Sequence, residues 1–221
     1  MVGTQWKPFG SLNTPQVLAH RGASAVEVEN TLLAFHRAKE IGAHAVELDV
    51  RLCQSGEMIV HHNPALGDGR QINLLNKGEL PSHVCTLEEA LDACEGMWVN
   101  IEIKNDPSEP DFDPTEMLAD KVAAMLRGRG APDQWLVSSF RRQTIDAMHA
   151  SWPELPTAWL TMTVDDAQAE NVAAELRASG HNALHPFVKT LTRHVIDTIR
   201  LQFLFTCILI SANLSKFFQK Q

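Results

Sequence analysis

Carboxylates stand at alternate positions in two short segments of the sequence, and this spacing puts side chains on one face of a β-strand. Glu47 and Asp49 alternate with a leucine and two valines. Further along the chain, Asn100, Glu102 and Lys104 alternate with a valine and two isoleucines. If the apolar side chains pack against helices, both polar sets face a common interior. The sequence therefore predicts three carboxylates gathered in a restricted space.

Such a group of carboxylates needs compensation, because like charges repel and burial disfavours ionisation. Protons or a cation could offset the charge. Ligands that are all oxygen suit a hard cation, so one Mg²⁺ or Ca²⁺ ion held by Glu47, Asp49 and Glu102 is favoured over zinc. The alternative is a solvated polar strand face, or structural ion pairs with Arg51 and Lys104.

Two histidines fit the same arrangement. His20 ends a predicted strand, and His62 ends another in which the alternation turns His62 inward and His61 away. Two imidazoles can act as general acid and general base near neutral pH. Arg21 is suited to binding a phosphate with two donors, and Gly22 would let the backbone pass close by. These residue types are suited to acid/base chemistry beside a cation on a ligand that carries a phosphate.

The elements that position these residues alternate between strand-like and helix-like runs, which is typical of a parallel α/β fold. Helices are expected to begin at Asn30 or Thr31, at Thr86 with Glu89 in a capping box, and at Asp113. Residues between His62 and Thr86 show no period and predict a surface loop. The predicted strands are 17–20, 45–50, 58–62, 98–104, 135–140, 157–160 and 182–185, and three further helices follow residues 140, 164 and 190.

Composition places the chain among ordinary globular proteins. Its 221 residues are 44% hydrophobic and 21% charged, and the net charge is -8. One domain is expected over residues 1–221. The acidic balance excludes nucleic acid and anionic membrane as partners. The N-terminus lacks the apolar core of a signal peptide, and the apolar stretch 201–215 is too short to span a bilayer, so we expect a cytoplasmic protein without stable membrane insertion.

The ordered series of motifs resembles the glycerophosphodiester phosphodiesterase family. It extends over about residues 17–200, which makes it far more specific than a lone His-Arg-Gly. The resemblance implies a TIM (β/α)8-type barrel, and it leaves open whether the barrel is complete at its C-terminal end. The blocks that carry the resemblance are 20–22, 29–31 with Phe35 and Ala38, 42–43, 46–50, 56–62 with Pro64 and Leu66, 100–104 and 138–140.

The resemblance implies a hydrolase of lipid and glycerol metabolism. Its partner would be a small-molecule glycerophosphodiester, such as glycerophosphocholine, which is cleaved to glycerol 3-phosphate and an alcohol. As in similar enzymes, the glycerol 2-hydroxyl of the substrate would attack phosphorus first, and water would then open the cyclic phosphate. The matching positions are Glu47, Asp49 and Glu102 for the metal ligands, His20 and His62 for the acid/base pair, and Arg21 and Lys104 for the phosphate.

The chain departs from the family pattern at two places. Asn63 stands where the family usually has Asp after the second histidine, so a hydrogen bond is kept and a negative charge is lost. After Ile199 the family blocks end, and residues 201–221 form an atypical tail in which 203–210 could be a replacement strand. We expect a recognisable but destabilised fold.

Two other functions stay open from the sequence. The first is a truncated, inactive barrel that keeps the metal carboxylates and acts as a binding protein, which Asn63 and the atypical tail favour. The second is a phospholipase-like enzyme that acts on intact lipids. The sequence does not decide the preferred alcohol, the choice between Mg²⁺ and Ca²⁺, or the oligomeric state.

Overall fold

A computed structural model describes residues 17–202 of the chain. Within this range the chain forms two compact units, residues 17–118 and residues 119–202. The boundary falls inside one helix, α3 (Met117–Arg129). The expected replacement strand at 203–210 lies outside the described residues. The assignment of the whole chain to one domain stays a prediction.

The first unit is built around a long central strand. This strand, β2 (Ala45–Leu52), pairs in parallel with β1 (Leu18–His20) on one side and with β4 (Trp98–Ile103) on the other. A short strand, β3 (Met58–Val60), pairs antiparallel with the end of β2. The antiparallel pairing differs from the purely parallel pattern that was predicted. Only five residues join β2 to β3, and a parallel crossover needs a dozen or more.

Helices α1 (Leu32–Glu40) and α2 (Leu87–Ala93) follow β1 and β3 in the first unit. Of the two expected caps of α1, Thr31 is the actual one, because its hydroxyl accepts from the Ala34 amide at 3.2 Å. Thr86 and Glu89 form the predicted capping box of α2, with both side-chain bonds present. These caps satisfy backbone donors that the first helical turn leaves unpaired.

Residues 63–85 are more ordered than the predicted surface loop. Two short 3-10 turns, Ile72–Leu74 and Lys77–Glu79, lie in this segment. Its apolar side chains form a small core with Cys53 and Ile59 from the β2–β3 hairpin. The segment is a loop as predicted, but its small core was not predicted, because single turns are too short to show a helical period. The core residues that this segment contributes are Leu66, Ile72, Leu80 and Val84.

The second unit repeats the alternation of strand and helix. Its three strands are parallel and follow the chain order, and each is separated from the next by a helix. Ile145, Leu176, Leu184, Val195 and Ile199 are buried in its core. The elements of this unit are β5 (Trp135–Ser139), α4 (Arg142–Ser151), β6 (Thr157–Thr161), α5 (Ala169–Ala178), β7 (Ala183–Pro186) and α6 (Arg193–Gln202).

All seven predicted strands are present between residues 17 and 202, within a few residues of their predicted ends. In the same range, Cys53, Cys85 and Cys94 are buried free thiols. No helix among the described residues is long and apolar enough to cross a membrane.

Candidate active site

The strand register brings the predicted carboxylates together in the first unit. Asp49 of β2 is paired with Glu102 of β4, and Glu47 lies two residues earlier on the same face. All three side chains are buried. Each offers a carboxylate oxygen, and these oxygens lie within 4.8 Å of one another. The alternation that the sequence shows in two strands therefore does produce one acidic cluster, formed by Glu47, Asp49 and Glu102.

Burial and mutual repulsion act on this acidic cluster. Burial, followed by the negative charges of Asp49 and Glu102, raises the pKa of Glu47 well above its ordinary value. Burial also raises the pKa of Glu102, although Lys104 opposes the shift. For Asp49, burial is outweighed by the charges of Lys104 and Arg21, which lower the pKa of this carboxyl. Asp49 is thus the member held most firmly as an anion.

Lys104 and Arg21, the two predicted phosphate ligands, contact the acidic cluster. The Lys104 ammonium lies 2.9 Å from Asp49 Oδ1 and also pairs with Glu102. The Arg21 guanidinium places Nε 3.2 Å from Asp49 Oδ2 and NH1 2.9 Å from Glu29 Oε1. Burial would lower the pKa of Lys104, but the carboxylates Glu102 and Asp49 outweigh it and raise that pKa. Both cations therefore offset part of the negative charge of the acidic cluster.

The loop after β1 adopts a strained backbone that serves the site. Arg21 has a φ of 56°, and its backbone N–H donates to Glu47 Oε2 at 2.9 Å. Gly22 has a φ of 78°, and an added Cβ would lie 2.8 Å from Ala34 atoms of α1. The close approach that was expected of Gly22 is therefore to helix α1, and only glycine fits there.

Asn30 is a site residue that sequence reasoning did not identify. It is buried, has a φ of 57°, and donates from Nδ2 to Asp49 Oδ2 at 2.8 Å. Its Oδ1 accepts from the Asp49 backbone N–H at 3.3 Å. The sequence suggested Asn30 as an alternative cap of α1 and as part of the block 29–31. Its membership of that block, directly before the true cap Thr31, is the signal that could have indicated a separate role.

The two histidines lie in the same unit as the acidic cluster. His20 Nε2 is 3.8 Å from Glu47 Oε2. Burial, and then the charge of Arg21, lowers the pKa of His20. His62 Nδ1 is hydrogen-bonded to Asn63 Oδ1 at 2.9 Å, whereas the neighbouring His61 bonds to the Asn63 carbonyl at 2.8 Å.

His62 also experiences the charges of the site. Burial, and then the positive charge of Lys104, lowers the pKa of His62, and Asp49 opposes the shift. Since both imidazoles have lowered pKa values, the neutral form that accepts a proton is favoured in each. The structure thus brings the predicted acid/base pair to the charged groups of the cluster.

The acidic cluster fits a hard divalent cation. The available ligand atoms are carboxylate oxygens, which suit Mg²⁺ or Ca²⁺. Glu47 Oε1 is buried and makes no hydrogen bond with the part of the chain that the structure describes. Asn100 is opposite Glu47 in the sheet register. Its buried side-chain amide likewise makes no hydrogen bond with the described residues. A bound cation with its water ligands would satisfy these polar atoms.

Comparison with known proteins gives consistent results along the chain. A sequence model of the Glycerophosphoryl diester phosphodiesterase family matches residues 20–203. A glycerophosphodiester phosphodiesterase from Bacillus altitudinis is 28% identical over 210 residues, which cover 83% of this chain and 81% of the relative.

Solved structures show the same likeness. An Oleispira antarctica phosphodiesterase, solved in complex with the product sn-glycerol-3-phosphate, is 25% identical, with a TM-score of 0.75 over 93% of this chain and 90% of its own. A glycerophosphodiester phosphodiesterase from Thermotoga maritima gives a TM-score of 0.74 at 24% identity, covering 94% of this chain and 91% of its own. These likenesses confirm the predicted α/β fold class of the TIM-barrel type.

Proposed function

The chain belongs to the glycerophosphoryl diester phosphodiesterase family, which makes it a phosphoric diester hydrolase, and we propose that it cleaves glycerophosphodiesters to glycerol 3-phosphate and an alcohol. The observation that carries this proposal is the convergence of the buried acidic cluster with His20 and His62 in one unit. The product bound to the Oleispira antarctica relative supports the same class of small-molecule substrate.

One divalent cation, Mg²⁺ or Ca²⁺, would be held by Glu47, Asp49 and Glu102. When bound, it would supply Lewis-acid polarisation of the phosphoryl and hydroxyl oxygens of the substrate. Asn30 orients Asp49 through two hydrogen bonds, so this carboxylate is fixed before ligand binding. The Arg21 backbone N–H fixes one oxygen of Glu47 in the same way.

The remaining charged groups would bind and orient the phosphodiester. Arg21 and Lys104 already lie at the cluster, where they can donate to phosphate oxygens. The glycerol 2-hydroxyl of the substrate would attack phosphorus as one histidine accepts its proton. The other histidine would protonate the leaving alkoxide, so the alcohol departs and a cyclic phosphate remains. Water would then attack the cyclic phosphate while the two histidines exchange their roles as acid and base, which yields glycerol 3-phosphate.

The two imidazoles lie in different environments. His20 lies beside Glu47, while His62 is held by Asn63 and feels the charge of Lys104. Neutral imidazoles are the forms that accept protons, and their lowered pKa values keep this form populated toward acidic pH. The reaction would begin with one imidazole neutral, as the base, and the other protonated, as the acid.

The test is release of glycerol 3-phosphate from glycerophosphocholine, followed with Mg²⁺, with Ca²⁺ and with a chelator. We expect turnover that the chelator abolishes and that His20→Ala or His62→Ala reduces at least about 100-fold. His36→Ala is the matched control, because His36 is an exposed residue of α1, and it should retain parental activity.

The outcomes separate the alternatives that the sequence left open. Cation binding without any turnover would support an inactive binding protein. Faster turnover of intact phospholipid than of glycerophosphocholine would favour the phospholipase-like enzyme. Turnover that persists in chelator, or in both His20→Ala and His62→Ala, would contradict the proposed roles of the cluster and of the histidines.

A further inference from the structure

A second charged network lies beside the acidic cluster and is centred on Arg51. This arginine occupies the inward-facing position of β2 that follows Asp49, and only 1% of its surface is exposed. A guanidinium buried to this extent is costly unless its donors are used. The structure shows where those donors go, and one acceptor is a backbone atom.

The acceptor is the carbonyl oxygen of His62. Arg51 donates to it from Nε at 2.9 Å and from NH2 at 2.6 Å, so two donors of one rigid plane hold a single backbone atom. Such a fork restrains both the position and the orientation of the turn that follows β3. The imidazole of His62 projects from this same residue.

Carboxylates of the loop after β4 fix the guanidinium itself. NH1 donates to Asp111 Oδ2 at 2.6 Å and lies 2.9 Å from Glu109 Oε2. NH2 donates to Glu109 Oε1 at 3.1 Å. Arg51 therefore joins three segments, namely the strand that carries Asp49, the turn that carries His62, and the loop that follows the strand of Glu102.

We propose that Arg51 is a positioning residue, whose fork to the His62 carbonyl holds the His62 imidazole at the acidic cluster. This inference rests on the proposed acid/base role of His62. A displacement of about 1 Å in a reacting group can cost on the order of 100-fold in rate, so a loosened turn lowers kcat. The donors of Arg51 are bonded to His62, Asp111 and Glu109, so we expect it to act on the rate and not on substrate affinity.

The experiment compares Arg51→Lys with the parent chain. Lysine keeps the positive charge but lacks the planar fork. We expect kcat to fall at least about 10-fold while KM stays within about twofold. Arg37→Lys is the matched control, since Arg37 is an exposed arginine of α1 that pairs only with Glu27 and Glu40 among the described residues, and it should retain both constants.

A double-mutant comparison then separates positioning from general damage to the fold. If Arg51 acts through His62, adding Arg51→Lys to His62→Ala should lower the residual rate by no more than about threefold. If Arg51→Lys lowers the rate by the same factor in the parent chain and in His62→Ala, the inference is overturned and the proposed function stands. If Arg51→Lys does not fold, Glu109→Gln replaces it, because Glu109 is 28% exposed in its side chain and the change loosens one arm of the guanidinium.

The last measurement does not depend on turnover. The NMR signal of the His62 ring C–H groups can be assigned by its loss in His62→Ala. It should shift or broaden in Arg51→Lys and stay in place in Arg37→Lys. An unchanged His62 signal in Arg51→Lys would overturn the inference. If the parent chain hydrolyses no glycerophosphodiester, the proposed function fails while this spectrum still decides whether Arg51 positions His62.

Discussion

At the scale of single residues, the protonation state of Glu47 should affect the free energy of unfolding. The pKa of Glu47 is raised in the folded chain, whereas the unfolded chain has the ordinary value of 4.5. Above pH 4.5 the unfolded chain therefore releases a proton that the folded chain keeps. Stability is therefore full below that value and falls as pH rises toward the folded pKa. Glu47→Gln removes the buried carboxyl and with it this loss of stability. In chelator at pH 7 the variant should therefore melt at a higher temperature than the parent.

The same substitution should impair cation binding. We expect the affinity for Mg²⁺ or Ca²⁺, measured by calorimetric titration, to fall at least about 100-fold. Glu95→Gln is the control, because Glu95 is exposed and outside the acidic cluster, and it should alter neither quantity. Unchanged cation affinity in Glu47→Gln would remove Glu47 from the proposed ligand set.

Asn63 offers a second test at this scale. Its Oδ1 accepts from the Nδ1–H of His62 at 2.9 Å, but it carries no charge. Asn63→Asp would place a carboxylate there, which favours the imidazolium form and raises the pKa of His62. Protonated His62 would then persist to higher pH, and an NMR titration of its ring measures this shift.

The control for Asn63→Asp adds the same charge elsewhere. Gln143→Glu places it on an exposed position of α4 and should leave the His62 titration in place. A His62 pKa that is no higher in Asn63→Asp than in Gln143→Glu would show that the residue at position 63 does not tune this imidazole.

The sequence predicted more of the charged site than of its supporting residues. Glu47, Asp49 and Glu102 follow from alternation within strands, which is a local pattern. Asn30 was missed because its contact with Asp49 depends on a loop folding back over 19 residues. Arg51 was considered only as an ion-pair partner of the carboxylates, since no local pattern reveals that a guanidinium will bind a distant carbonyl.

At the scale of elements, the capping box of α2 should contribute measurable stability. Thr86→Ala removes the hydroxyl that accepts from the Glu89 amide at 3.2 Å, and we expect a loss of about 1 kcal/mol in the free energy of unfolding. Denaturant titration measures this loss, and Thr86→Ser should restore most of it. Because α2 carries no proposed site residue, kcat should stay within about twofold. A stability equal to that of the parent would show that the cap is energetically silent.

Element types were predictable where hydrophobic patterns are long, and less so where they are short. The helices and strands from β4 to α6 follow the expected order because each spans enough residues to show its period. The direction of β3 was missed because alternation is the same in parallel and antiparallel strands. The core of segment 63–85 was missed because its buried residues come from single turns.

At the scale of the whole molecule, His185 should make folding sensitive to acid. It is buried in β7, and burial lowers its pKa from 6.5 to about 4. The unfolded chain gains this proton as pH falls below 6.5, whereas the folded chain does not until about pH 4. Stability is therefore full above pH 6.5 and declines below it, by up to about 3 kcal/mol.

Free energies of unfolding measured from pH 7 to pH 4 test this expectation. His185→Leu should flatten the decline relative to the parent by roughly the stated amount. His36→Gln, at an exposed position of α1, should keep the parental slope. If His185→Leu declines as steeply as the parent, the acid sensitivity belongs to other groups.

The placement of Arg21 and Lys104 within the acidic cluster has a consequence for charge balance. With all three carboxyls ionised, the cluster carries three negative charges, and Glu29, which pairs with Arg21 at 2.9 Å, adds a fourth against the two positive charges of Arg21 and Lys104. A divalent cation would bring this local sum from two negative to zero. A phosphodiester monoanion would then add one negative charge, whereas a phosphomonoester adds up to two at neutral pH. We therefore expect the site to repel the monoester product more strongly than the diester, which would help the product to leave.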